Sequence, residues 1–164
     1  FEELENLMDQ AVNDDIPPDL LARQIHSNGS PALYYKLLRR LALGEMEPGI
    51  FLEIGSYYGC AAAHIVGHGY GILHLGIDLN PIPFSHPESI MIQGDSNDVA
   101  VMETVKRIAE RCGGIALVLQ DSSHHFLPSV REWELYSPLV RPGGIWICDD
   151  ITPAFRLPDE PKEG

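Results

Sequence analysis

Basic residues are scarce in this chain: Lys and Arg number 11 against 24 Asp and Glu in 164 residues, a formal net charge of −13. A phosphate backbone would be repelled by that field unless a local basic patch overrode it. The densest basic group, Lys36, Arg39 and Arg40, falls at helical spacing and reads as a solvated face, so no nucleic-acid partner is expected. Cysteine is nearly absent too. Cys60, Cys112 and Cys148 are odd in number and far apart, with no CxxC or Cys/His spacing. That argues against a disulfide framework and a structural zinc site. The three read as small buried hydrophobes in a reducing, cytoplasmic setting. No apolar run approaches the ~20 residues of a membrane span, so no membrane partner is expected. The acidic start FEELENLMDQ lacks the basic n-region of a signal peptide. Internal repeats, low-complexity tracts and the dinucleotide fingerprint GxGxxG are all missing.

What is present is one domain's worth of chain, 45% hydrophobic, enough to bury ~70% of the surface it exposes unfolded. Residues 1–48 carry helical periodicity. Leu4, Leu7, Met8 and Val12 recur at three-and-four spacing, and Pro17-Pro18 interrupts. Ser30-Pro31 then opens a helix to about Leu43, which Gly44 and Pro48-Gly49 end. From residue 49 the rhythm changes to short apolar runs: IFLEIG, ILHLGID, SIMIQGD, IALVLQD and IWICDD. Continuous hydrophobicity marks strands buried on both faces. Helix-like segments at Cys60–Val66, Asn97–Cys112 and Pro128–Leu139 separate them. The expectation is a doubly wound, Rossmann-like α/β fold over 49–155, its parallel sheet in order 3-2-1-4-5. A helical segment over 1–48 precedes it, and a charged, Pro-rich tail over 156–164 follows.

In such a sheet chemistry sits at the carboxyl ends of the strands, and there the acids gather. The first run leads into Glu53-Ile54-Gly55-Ser56-Tyr57-Tyr58-Gly59, where the glycines permit a tight turn and a close approach to a ligand. An acid beside a glycine loop suits a cationic ligand such as an amino-acid ammonium; the motif is also compatible with a mere turn. The second run ends at Asp78, placed to accept from ribose hydroxyls. The third ends in Gly94-Asp95-Ser96, where Asp95 accepts from an adenine amino group or caps the next helix. Asp121, Asp149 and Asp150 end the fourth and fifth runs. Adjacent parallel strands would bring these carboxylates together, and their repulsion calls for a cation, with oxygen ligands suiting Mg²⁺. Solvated loop acids are the alternative. His64 and His74 read as packed residues, as do Trp133 and Trp146; His68 and His86 lie near loops.

Together EIGSYYG, Asp78 and Gly94-Asp95-Ser96 resemble the class I S-adenosylmethionine-dependent methyltransferases in order and spacing, over about residues 48–155. The resemblance implies that the glycine loop holds the methionine part, the second-strand acid the ribose and the third-strand acid the adenine. Carried over, the cofactor-binding residues are Glu53, Gly55, Ser56, Tyr57, Gly59, Asp78, Asp95, Ser96 and Asp121. DSSHH followed by VRPGGIWICDDI is similar to the metal-dependent O-methyltransferases, in particular the macrolide-sugar and cephalosporin-hydroxylase-like group. Catechol O-methyltransferase places metal carboxylates at similar strand ends, with Asp-Asn where this chain has Asp149-Asp150. The likeness implies Mg²⁺ at Asp121, Asp149 and Asp150. It implies a histidine base three residues after the fourth-strand Asp, which is His124, and the adjacent His125 is the alternative catalytic residue. The expected activity is S-adenosylmethionine-dependent O-methylation of a small-molecule hydroxyl, sugar-like or a vicinal diol. A catalytically silent cofactor-binding or assembly module is the alternative, and a homo-oligomer is left open. The family sheet has two strands after the fifth, which RLPDEPKEG cannot supply, so they are expected to be missing here.

Overall fold

The computed structural model describes residues 33–41, 48–57, 59–66, 71–80 and 85–149. Expectations that fall on residues 1–32 and 150–164, Asp150 and the tail included, lie outside the described residues. So do His68 and Tyr58.

In chain order the elements are α1 (Leu33–Arg40), β1 (Ile50–Ile54), α2 (Cys60–Ile65), β2 (Leu73–Asp78) and β3 (Ser89–Gln93). Then come α3 (Val99–Arg111), β4 (Ile115–Gln120), α4 (Phe126–Tyr136), a 3₁₀ turn (Ser137–Leu139) and β5 (Val140–Cys148). The five strands form one sheet in the expected order, β3-β2-β1-β4-β5, and every pairing is parallel.

Side chains alternate across a strand, and both faces of this sheet are covered. Phe51, Leu117 and Leu119 pack with Leu38 and Leu41 at the end of α1 and with Ala61 and Ile65 of α2. Ile50, Leu52, Ile54, Leu75, Ile77 and Val118 face the other way, onto Val101, Val105 and Ala109 of α3 and Tyr136 of α4. Burying each large side chain is worth about 1.5–3 kcal/mol, which explains why the runs are apolar throughout rather than alternating.

Four details differ from the sequence expectation. Cys112, read as a small buried residue, is exposed, because it caps the solvent-facing last turn of α3. β5 starts at Val140, ahead of IWICDD, because the parallel ladder takes up Ile115↔Val140 and resumes at Leu117↔Ile145 after a register shift. Gly143, at φ +80, helps the chain bend through that shift. α3 begins at Val99 and is capped by Asp98, whose Oδ1 accepts from Ala100 N at 2.9 Å; Asp95 is not the cap. Trp133 is 51% exposed rather than core, its ring edge-on to Trp146 at 4.8 Å. No helix among the described residues is long and apolar enough to cross a membrane.

Candidate active site

The strand order reverses between β1 and β4, and the loops leaving those two strands diverge to opposite faces of the sheet. At that point, above the carboxyl ends of β1 to β4, a cavity of about 540 Å³ opens. The first wall is the turn after β1. Gly55 N donates to Ile77 O at 2.9 Å, and Gly55 adopts φ +89. Tyr57 follows at φ +40, and its N–H donates to Asp78 Oδ2 at 2.8 Å. Gly59, at φ +68, starts α2.

Asp78 therefore shapes the cavity as well as lining it. Its Oδ2 holds the glycine turn and its Oδ1 accepts from Asn80 N at 2.9 Å. A carboxylate has about four acceptor sites, so both oxygens keep capacity for a ligand. Asp95 lines the next wall. Its Oδ1 accepts from Asn97 N at 2.8 Å, an Asx turn that hands the chain to Asp98. Gly55, Tyr57, Asp78, Asp95, Ser96, Asp121 and His124 all border this one space.

Glu53, Ser56 and Gly59 do not border it. Glu53 is buried, and its Oε2 lies 2.9 Å from Nε2 of the fully buried His74. The other ring nitrogen of His74 is 2.7 Å from Ser89 Oγ. Glu53 pairs in register with Gly76, and the space a side chain there would need is taken by Met91 and by Ser56 Oγ. Burial pushes the Glu53 carboxyl up from its ordinary value, against the lowering effect of the His74 and Ser56 hydrogen bonds. The acid of the glycine motif thus ties β1 to β2, and through His74 to Ser89 of β3. Ser56 is buried beside it, with Oγ donating to Glu53 O at 3.3 Å.

At the end of β4, Asp121 N donates to Ile54 O at 2.9 Å, which fixes Asp121 beside the glycine turn. His124 adopts φ +54, and its Nε2 lies 3.7 Å from Asp121 Oδ1. His125 is the N-cap residue of α4, exposed and outside the cavity lining. The left-handed backbone at His124 is what sends the two adjacent histidines to different surroundings. Asp149 N donates to Gln120 O at 2.9 Å, placing Asp149 at the end of the strand next to Asp121, though not on the cavity lining. Among the described residues no three metal-ligating side chains gather; Asp150, the third expected ligand, is not among them.

The sequence reading missed Glu132. It borders the cavity yet is 1% exposed. Its Oε2 accepts from Gln120 Nε2 at 2.7 Å and Ser122 Oγ at 2.8 Å, and its Oε1 from Ser96 Oγ. Trp146 Nε1 donates to Gln120 Oε1 at 3.1 Å, which orients that amide. Tyr136 OH donates to Ser96 O at 2.7 Å, and burial, then Glu132, pushes its phenol well above the ordinary range. Pro128, Glu132 and Tyr136 recur every fourth residue on the inward stripe of α4. That spacing was the available signal, masked by the charged neighbours Arg131 and Glu134.

The model of the family described as rhamnosyl O-methyltransferase/CmcI matches residues 37–161. The chain belongs to this family. A rhamnosyl O-methyltransferase of Mycobacterium tuberculosis is 24% identical over 117 residues, covering 66% of this chain and 48% of that protein. The mycinamicin VI 2″-O-methyltransferase of Micromonospora griseorubida is 38% identical over 64 residues, 39% of this chain and 15% of that one. The chain thus spans about half the length of the rhamnosyl O-methyltransferases it matches. Among solved structures, the MycE methyltransferase in complex with Mg, SAH and mycinamycin VI superposes with a TM-score of 0.60 at 23% identity. It covers 81% of this chain and 37% of that one. An SAH-bound methyltransferase of Podospora anserina gives 0.61 at 16% identity, over 90% and 69% of the two chains. The family fold is therefore the Rossmann-like methyltransferase fold described above.

Proposed function

We propose that this chain binds S-adenosylmethionine and serves methyl transfer to a hydroxyl of a small, sugar-like acceptor, assisted by Mg²⁺. The observation that carries the reading is that one cavity is bordered by the Gly55 turn, Asp78, Asp95, Asp121 and His124 together. The relatives' names supply the acceptor class: a rhamnosyl group in one and mycinamicin VI in another.

Asp78 accepts from the ribose hydroxyls with the lone pairs that the Tyr57 and Asn80 amides leave. The Gly55–Tyr57 turn covers the methionine end, and its lack of a side chain at Gly55 lets the Asp121 backbone close against the turn. Asp95 and Ser96 face the adenine end. Among the described residues no Lys or Arg lines the cavity, which suits a ligand carrying a sulfonium and an ammonium.

The donor set fits a hard divalent cation: carboxylates at the ends of neighbouring strands β4 and β5, Asp121 and Asp149, with Asp150 next in the chain. These three residues would hold Mg²⁺, which when bound orients an acceptor hydroxyl and lowers its pKa. His124 takes the hydroxyl proton, and the Asp121 carboxylate lies 3.7 Å from its Nε2. That carboxylate steadies the imidazole as it becomes charged. The half-exposed position of His124 lets the proton pass on to solvent.

The test is calorimetry with S-adenosylhomocysteine, with and without Mg²⁺, followed by methyl transfer from labelled S-adenosylmethionine to a rhamnosyl glycoside. Binding together with Mg²⁺-dependent labelling is expected. Absence of binding overturns the reading.

A further inference from the structure

We propose that Glu132 is a specificity-determining positioning residue, which turns the hydroxyls of Ser96 and Ser122 into pure acceptors facing the cavity and so selects a base that donates. The proposal rests on the S-adenosylmethionine reading above and deepens it. An ionised carboxylate only accepts, so each serine bound to it must donate. Ser96 Oγ donates to Oε1, and Ser122 Oγ donates to Oε2 at 2.8 Å. A serine hydroxyl has one proton. With that proton given inward to Glu132, only oxygen lone pairs remain for whatever occupies the cavity that both serines border.

The orientation is locked from behind. Trp146 Nε1 holds Gln120 Oε1, so the Gln120 amide presents its NH₂ to Glu132 and to Ser129 O. Glu132 thus receives donors from three side chains and has no proton to return. An independent observation points the same way: Oδ1 of Asn97, on the same wall, is buried and without a hydrogen-bond partner. A buried acceptor left unsatisfied is unfavourable, and a donor reaching it would relieve it. Asp95 adds a fourth acceptor. The exocyclic amine of adenine supplies the N–H donors this wall lacks. The keto oxygen of hypoxanthine would set lone pair against lone pair.

The experiment measures the affinities of S-adenosylhomocysteine and its deaminated analogue S-inosylhomocysteine for the wild-type chain and for Glu132→Gln. The wild type is expected to favour the adenine compound at least tenfold, roughly the discrimination of a site built for one hydrogen-bonding pattern. In Glu132→Gln the new NH₂ can donate to Ser96, freeing its proton toward the cavity. The ratio is then expected to fall at least about threefold, with the analogue binding as well as before or better. Equal loss for both ligands, or an unchanged ratio, overturns the proposal and leaves the cofactor reading standing. Binding of neither ligand by the wild type overturns both. Should Glu132→Gln fail to fold, Ser122→Ala removes one acceptor and must lower the same ratio; an unchanged ratio in it is equally adverse.

Discussion

Gly55 lies so close to Asp121 that a Cβ built on it would stand 1.9 Å from the Asp121 carbonyl oxygen. The carboxyl ends of β1 and β4 meet there, backbone on backbone, and the Asp121 N–H to Ile54 O bond of 2.9 Å closes the junction. The missing side chain at Gly55 is what lets the end of β4 sit against the turn after β1. Gly55→Ala must push Asp121 away and also bear φ +89. The expected cost is on the order of 3 kcal/mol, from strain and overpacking combined. Thermal melting reads the loss, and a variant melting with the wild type would contradict this packing.

Asp78 joins two tasks, since Oδ2 holds Tyr57 N and Oδ1 holds Asn80 N. Asp78→Ala is expected to weaken S-adenosylhomocysteine at least tenfold, because bonds to a charged group are worth about 1.5–3 kcal/mol each. Calorimetry on the folded variant checks it. Unchanged affinity would make Asp78 a scaffold for the turn alone.

The two adjacent histidines separate cleanly in kinetics. His124→Ala should slow turnover by about 10²–10⁴-fold, the usual contribution of a general base, with cofactor affinity kept. His125→Ala, at the exposed start of α4, should stay within about threefold of wild type. The reverse pattern would move the base to His125.

Glu53 gives a stability signature. Burial raises its folded carboxyl above the ordinary value of 4.5. The folded state therefore holds that proton more tightly than the unfolded chain. The resulting stability is fully present below pH 4.5 and is lost as pH rises through the raised folded value. Glu53→Gln, which cannot titrate, is expected to show a flatter decline of melting temperature over that rise. Identical slopes in the two proteins would mean that Glu53 does not titrate differently on folding.

Cys148 sits where burial, then Glu132, Asp149 and Asp121, raise its thiol. Only the thiolate reacts readily. Iodoacetamide at about pH 8 should therefore label the exposed Cys112 well before Cys148, as peptide mass spectrometry would show. Faster labelling at Cys148 would contradict its acidic, partly buried setting.

Much of this was already legible in the residues. The five apolar runs became the five strands, because a strand buried on both faces must be apolar along its whole length. Right-handed crossovers then left the order β3-β2-β1-β4-β5 as the natural solution. Asp78, Asp95 and Asp121 end their strands or follow them within two residues, so strand direction alone sends them to the cavity.

What tertiary structure decided were the partners, which periodicity cannot see. Glu53 follows the glycine-motif pattern, yet His74, 21 residues on and one strand over, draws it into the core. Glu132 reads locally as one more surface acid between Arg131 and Glu134. It becomes a buried hub only because α4 meets both the end of β4, at Gln120 and Ser122, and the loop after β3, which brings Ser96 from 36 residues away. His124 and His125 are alike in sequence, and one left-handed backbone step at His124 separates them. Burial and hydrogen bonding act between groups that meet in space, so the chain's local pattern sets which elements form, while packing sets which charges are paired and which face the cavity.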